Sequence, residues 1–220
     1  MTAGAPSPFH TRSDALTEHL DGDPLEVLRR WTAEAQRAGV VMPAAMTLAT
    51  TDGEDPHART VAVTGITDRG LTFHSSTPTT KSSDLRTHPR ASGVFLWTAL
   101  GRQAVVLGTV TEQDREVTER AFPTRPRQLQ LLAWVYEDLG QDLADPTAHV
   151  PAARIAEWMA AAAERDPATL PPPPSWTTFV LSVDRVDLWQ AGTEVVAPTK
   201  TRFVRASDGT GPWERREALP

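Results

Sequence analysis

Short runs of alternating apolar and polar residues, separated by turn residues, dominate the chain from Ala45 to Val110. Met46-Thr47-Leu48-Ala49-Thr50 leads into Asp52-Gly53. Arg59-Thr60-Val61-Ala62-Val63-Thr64 and Leu71-Thr72-Phe73-His74 flank Asp68-Arg69-Gly70, and Ser92–Trp97 and Arg102–Val110 follow. Period-two runs bounded by such turns predict antiparallel hairpins, and five strands in about 65 residues predict a barrel. A helical period appears on either side. Asp23-Pro24-Leu25-Glu26 supplies an N-cap, a proline at the first helical position and a capping-box glutamate, after which Leu28, Trp31, Ala35 and Ala38 recur on one face until Gly39. A short polar helix is predicted at 81–87 and longer ones at 114–135 and 151–165. Pro171–Pro174 is a stiff spacer, and strand patterns return at Thr177–Val183, Arg185–Gln190 and Thr201–Val204, ending near Trp213. Residues 1–22 have no sustained period and read as a flexible arm with a short ordered piece near Leu16–Leu20. Residues 23–220 read as one domain, mainly β with flanking helices (α+β).

Composition narrows the chemistry more than the fold. The 220 residues are 40% hydrophobic, as in folded chains, and contain no cysteine, which removes disulfides, thiolate metal sites, cysteine nucleophiles and iron–sulfur clusters. The six histidines (His10, His19, His57, His74, His88, His149) lack metal-ligand spacing, so no metal is expected. A net charge of −6 argues against a general nucleic-acid binder. No run approaches the roughly 18 apolar residues of a membrane span, and the first residues lack a signal peptide's apolar core; a cytoplasmic protein with no membrane partner is expected. The familiar dinucleotide, Walker, zincin and nucleophile-elbow motifs are absent. The carboxylate pairs Asp142/Asp145 and Glu112/Asp114 stand in polar loop or helix-start contexts and read as solvated charges and caps.

One imbalance bears on function: of 22 basic residues only Lys81 and Lys200 are lysines. Lys81 closes the hydroxyl-rich run Ser76-Thr77-Pro78-Thr79-Thr80-Lys81, directly after His74 and Ser75 at a strand end. Hydroxyls, helix-entry N–H groups and a cation are the ingredients of a phosphate cradle. The same composition also describes an ordinary Ser/Thr helix start with a solvated lysine.

In this order the residues resemble the pyridoxamine 5′-phosphate oxidase family of FMN-binding split β-barrels, from Asp23 to Pro220. The matches are Asp23-Pro24 with the Leu28–Trp31 helix, Met46–Thr50, Arg59-Thr60-Val61-Ala62-Val63, Lys81 with His88-Pro89-Arg90, and Trp97 to Arg102-Gln103. They continue through Arg125-Pro126-Arg127 with Ala133-Trp134, then Trp176, Asp187-Leu188-Trp189-Gln190 and Leu219-Pro220. Thr64 and Ala91-Ser92-Gly93 look closest to the branch that works in phenazine and other secondary-metabolite pathways. The resemblance implies a homodimer with FMN at the subunit interface. Arg59, Thr60, Val61, Ala62, Val63 and Thr64 would run along the flavin, with Arg59, Thr80 and Lys81 near its phosphate. His74 and Ser75 match flavin-contacting positions, Gln103 and Trp189 match positions given by the second subunit, and Lys200 falls, after one inserted residue, where the family has an arginine.

The departures concern the substrate. Thr64 stands where the vitamin B6 enzyme has a phosphate-holding lysine, Val195-Val196-Ala197-Pro198 replaces an Arg-x-His pair, and Ala121 and Leu129 replace a tyrosine and a serine around Arg125. Lost charge-assisted bonds are worth about 1.5–3 kcal/mol each. Pyridoxine phosphate is therefore disfavoured against a less charged, more apolar small molecule bound by Arg125, Leu129, Val196 and Pro198. Arg125 is either that molecule's carboxylate partner or a helix-start contact; His74 is either a flavin-tuning or proton-relaying group or a satisfied strand-end histidine. Gln141 is a candidate for the family's glutamine contact in the lengthened segment 136–145. The expected activity is an FMN-dependent oxidase or dehydrogenase that needs no obligatory side-chain nucleophile or base. It would move a hydride from a nitrogen-containing or dihydroaromatic secondary-metabolite intermediate to flavin N5, with reoxidation by dioxygen to hydrogen peroxide. The alternatives are an authentic pyridoxamine 5′-phosphate oxidase and a non-catalytic flavin-, heme- or deazaflavin-binding split barrel.

Overall fold

The computed structural model describes residues 20–140, 152–164, 170–193, 195–206 and 211–219. Asp23 starts helix α1 (Pro24–Arg37) as anticipated: its Oδ1 accepts from the Leu25 N–H at 2.8 Å, and Pro24 occupies a position that needs no amide donor. The helix buries Leu25, Leu28, Trp31 and Ala35 completely, with the Trp31 ring edge-on to Trp97 at 6.2 Å. Leu20, at the end of the predicted arm, is 2% exposed and belongs to the same core.

The core is closed by one antiparallel sheet of nine strands: β1 (Ala45–Thr51), β2 (Pro56–Ala62), β3 (Gly65–Thr67), β4 (Gly70–Ser76), β5 (Arg90–Trp97), β6 (Arg102–Glu112), β7 (Trp176–Gln190), β8 (Thr199–Val204) and β9 (Glu214–Ala218). The spatial order is β2-β1-β5-β6-β7-β4-β3, with β8 on β7 and β9 on β8. Helices α2 (Thr80–Thr87), α3 (Arg115–Ala121), α4 (Arg127–Leu139) and α5 (Ala152–Ala163) flank it. This is the expected split barrel, and β7 is where it splits. One edge of β7 pairs with β6 from Phe179 to Gln190, whereas the other takes β4 along Trp176–Leu181 and then β8 along Arg185–Gln190. Between the two partners the ladder to β6 steps from Leu107–Arg185 to Gly108–Val183, which leaves Asp184 as the extra residue of a bulge. Arg90 pairs with the Asp184 carboxylate, and Arg205 Nε donates to the Val183 carbonyl at 2.8 Å.

Several element boundaries differ from the sequence expectation. Thr177–Val183 and Arg185–Gln190 are one strand, because the bulge absorbs the residue that interrupts the alternation. The helix predicted over 114–135 is two, α3 and α4, separated by a 3₁₀ turn at Phe122–Thr124. Pro123 and Pro126 lack the N–H that a continuous helix requires, and α4 then runs on to Gly140. β2 stops at Ala62 rather than Thr64. β3 is only three residues long, and β9 reads Glu-Arg-Arg-Glu-Ala; neither presents an apolar alternation to detect. Among the described residues no helix is long and apolar enough to cross a membrane and no cluster of metal-ligating side chains occurs.

Gly108, beside the bulge, is required by space. A Cβ there would stand 2.0 Å from the Ser182 carbonyl oxygen, a main-chain atom that cannot swing aside. At Gly93 the nearest obstacle is instead the Met46 thioether, the far end of a flexible side chain. Gly108→Ala is expected to cost at least about 1–3 kcal/mol in urea denaturation and Gly93→Ala clearly less.

Candidate functional site

The ends of β2 and β4, the start of α2 and one face of α4 enclose a cleft of ≈ 300 Å³. Its cationic end is built by α2. Thr79 caps that helix through a reciprocal pair, with its N–H donating to Ser82 Oγ at 2.8 Å and its Oγ1 accepting from the Ser82 N–H at 3.4 Å. Two residues after this cap, Lys81 lines the cleft, where Nζ donates to Thr79 Oγ1 at 3.4 Å and pairs with no described carboxylate. Burial and the nearby Arg59 charge pull the Lys81 pKa down to about 8. Arg59, on β2, is itself lowered by burial, a trend that the Asp84 charge opposes. Arg59 and Thr80 do not line this cleft; they border an adjoining open groove with His57, and Thr79 and Lys81 line both. Lys81 without a described carboxylate partner, Arg59 with Asp84 as its counter-charge at 3.9 Å, a hydroxyl and a helix start form an anion-receptive site.

Of the remaining predicted β2 residues, Thr60, Val61 and Ala62 line the cleft, while Val63 turns into the core at 7% exposure. Thr64 lies beyond the strand and reaches His74. The imidazole is held from both sides: Nε2 meets Thr64 Oγ1 at 2.9 Å, Nδ1 meets Thr178 Oγ1 at 3.1 Å, and the ring stacks on Trp176 with centroids 4.6 Å apart. Burial, reinforced by the Arg125 charge, lowers its pKa to about 4, so His74 is uncharged at neutral pH. Ser75 lines the cleft with its Oγ donating to the Ser76 carbonyl at 2.7 Å. Arg125 enters from the break before α4; the Gln130 side chain fixes its carbonyl at 2.8 Å, and no described carboxylate pairs with its guanidinium. Leu129, Leu132, Ala133 and Tyr136 follow at helical spacing as an apolar wall.

Gln103, Trp189 and Lys200 line a different cleft, of ≈ 410 Å³. They form one row across β6, β7 and β8, since Gln103 stands opposite Trp189 and Trp189 opposite Lys200; Leu96, 57% exposed, extends the row on β5. Asp187 closes this cleft. Burial would raise its carboxyl pKa, but hydrogen bonds from Arg202 and Arg185 outweigh that and hold it at about 2. Val196 and Pro198 are exposed on the link between β7 and β8 and line neither cleft. Gln141 lies outside the described residues. Thr79, Trp176, Thr178 and Tyr136 were not singled out as site residues by the sequence. The 129/132/133/136 spacing was the available signal for Tyr136, whereas Thr178 meets His74 only through the β4–β7 register.

Fold and site together define an antiparallel split barrel with an anion-receptive groove beside its cleft. Residues 32–163 match the family model for pyridoxamine 5′-phosphate oxidase. The chain is 39% identical over 197 residues to the pyridoxine/pyridoxamine 5′-phosphate oxidase of Acidothermus cellulolyticus, covering 88% of this chain and 84% of that protein. The Salinibacter ruber enzyme is 34% identical over 222 residues, covering 96% and 95%. The chain belongs to the pyridoxamine 5′-phosphate oxidase family. Two solved structures share its fold. PhzG from Burkholderia lata, in complex with tetrahydrophenazine-1-carboxylic acid, superimposes with TM-score 0.76 at 23% identity over 92% of this chain and 95% of that one. A pyridoxamine 5′-phosphate oxidase-related, FMN-binding protein from Nostoc punctiforme gives 0.68 at 16% identity over 90% and 98%.

The His74 environment has a direct readout. Its imidazole resonances are expected to titrate near pH 4, well below the ordinary 6.5. Arg125→Leu should move the midpoint up only part of the way, because burial is the larger cause. A midpoint near 6.5 in the unaltered protein would contradict the buried geometry.

Proposed function

We propose that the chain is an FMN-dependent oxidoreductase, working as a two-fold homodimer, that oxidises a planar, largely apolar monocarboxylate of secondary metabolism. The observation that carries the cofactor assignment is that Arg59 and Lys81 border one open groove with Thr79 and Thr80 at the start of α2, where burial and then the Arg59 charge pull the lysine down to about 8. Such a pair fits a phosphate dianion, and the family and the FMN-binding neighbour support FMN as its bearer. Thr60, Val61 and Ala62 would run beside the flavin ring, with Ser75 and His74 at its edge. Gln103, Trp189 and Lys200 sit in a separate cleft of the same chain, so their share in the site would come from a second copy. Val196 and Pro198 likewise would reach substrate only from that copy.

Bound FMN supplies a hydride acceptor at N5 that dioxygen regenerates, yielding hydrogen peroxide. The chain's own residues do the rest. Among the described residues, Arg125 is the cation at the α4 end of the cleft and sits beside the apolar wall of Leu129, Leu132, Ala133 and Tyr136. That combination suits one carboxylate on a flat apolar body better than a phosphate ester, which would find no matching charge at Thr64 or Val196. The tetrahydrophenazine-1-carboxylic acid bound by the PhzG neighbour is a molecule of this kind. His74, uncharged and held at both ring nitrogens by Thr64 and Thr178, would pack at the flavin edge as a neutral positioning group, and the proton that accompanies the hydride would pass to solvent. Authentic pyridoxamine 5′-phosphate oxidase activity is the second reading, favoured by the names of the sequence relatives.

Anaerobic bleaching of the FMN-loaded protein separates the two. Tetrahydrophenazine-1-carboxylic acid is expected to reduce the flavin and pyridoxamine 5′-phosphate to leave it oxidised; the reverse outcome establishes the vitamin B6 activity. For the cofactor, Lys81→Ala is expected to weaken FMN by about 10- to 100-fold, the worth of a charge-assisted bond, and riboflavin hardly at all. The pH dependence has a definite sign. Phosphate raises the Lys81 pKa from its free value of about 8, so binding above that pH must take up a proton. FMN affinity should therefore fall above pH 8, by at most about tenfold per unit, and the Lys81→Ala protein should lose that slope.

A further inference from the structure

Asp84 is 3% exposed on the inner side of α2, three residues after Lys81, and neither cleft described above uses it directly. Its Oδ2 accepts from Thr50 Oγ1 at 2.5 Å and from His57 Nδ1 at 2.9 Å, and lies 3.9 Å from Arg59 Nη2. Thr50, on β1, is at the same time 2.6 Å from Arg59 Nη1. A guanidinium can only donate and an ionised carboxylate can only accept, so the direction is fixed: Arg59 donates to the Thr50 hydroxyl, and that hydroxyl donates onward to Asp84. The carboxylate thus reaches Arg59 mainly through a relay, and ties the helix that carries Lys81 to the strand that carries Arg59.

We propose that Asp84 is the positioning residue of the anion site, fixing Arg59 through Thr50 and holding α2 against β1 and β2 so that Arg59 and Lys81 stand ready for a phosphate. The proposal rests on the assignment of FMN phosphate to that pair. Burying a carboxylate is costly unless it is hydrogen-bonded and paired. Here the partners are the residues that border the groove beside Lys81, His57 and Arg59, with Thr50 between. Asp84 does not itself meet the phosphate, and its negative charge nearby would by simple electrostatics oppose an anion. Its benefit is preorganisation: without it Arg59 must be ordered at the moment of binding.

The test compares FMN with riboflavin, which lacks the phosphate, on the whole chain freed of flavin and reconstituted. Asp84→Asn and Thr50→Val are each expected to weaken FMN about 5- to 30-fold while riboflavin changes by less than about twofold. In an Arg59→Ala background Asp84→Asn should add less than about twofold, because the two residues act as one unit. Thr50→Val leaves the carboxylate in place and so decides the matter should Asp84→Asn fail to fold. An unchanged FMN-to-riboflavin ratio in Thr50→Val and Asp84→Asn, equal losses for both ligands, or full additivity with Arg59→Ala would each overturn the proposal while leaving the FMN assignment intact. A parent protein that binds FMN no better than riboflavin overturns both.

Discussion

The fold hangs on the two unequal edges of β7. One edge is committed to β6 along nearly its whole length, and the other is shared between β4 and β8, so the strand must bend away from the first partner before it meets the second. The Asp184 bulge supplies the bend, Arg90 and Arg205 hold its polar groups, and Gly108 lets the neighbouring backbone approach. That division places two sets of candidate site residues. On the β4 side, Thr178 reaches across to His74 and Trp176 stacks upon it; on the β8 side, Trp189 aligns Gln103 with Lys200.

The anion site stands in contrast to this well-satisfied framework. Lys81 is half-buried with, among the described residues, a threonine hydroxyl for a partner, and burial together with the nearby Arg59 disfavours its charge. A folded chain tolerates such a local conflict where a ligand relieves it. Ion pairs elsewhere in the barrel are complete by comparison: Asp187 is gripped by two arginines, and Arg102 pairs with Glu34 while lying over the Trp31 ring.

The sequence disclosed the architecture because the barrel strands alternate cleanly and Asp23-Pro24 announces the first helix. It misjudged segments in which local pattern and tertiary demand part company. Asp184 looked like a strand end because a polar residue broke the period, yet β6 and β8 carry the strand past it. The run 114–135 reads as one helix because its apolar spacing survives the break that Pro123 and Pro126 impose. Within the site, Lys81, Arg59, His74 and Arg125 were legible as chemistry, three of them beside turns or strand ends. Thr50, Asp84 and Thr178 were not, since each is an ordinary polar residue until folding sets it against a partner between 34 and 104 positions away.

The apolar wall of the cleft belongs to a single helix, bounded by Pro126 at one end and Gly140 at the other, whereas the cationic end rests on α2 and β2. On the proposed function, anchor and selector would be separable modules. Exchanging Leu129, Leu132 or Tyr136 would alter what fits beside the anchor and leave the strand ladder and its charges untouched. A lineage built on this plan could then explore new substrates by re-lettering one helical face, without first surrendering its grip on the proposed cofactor.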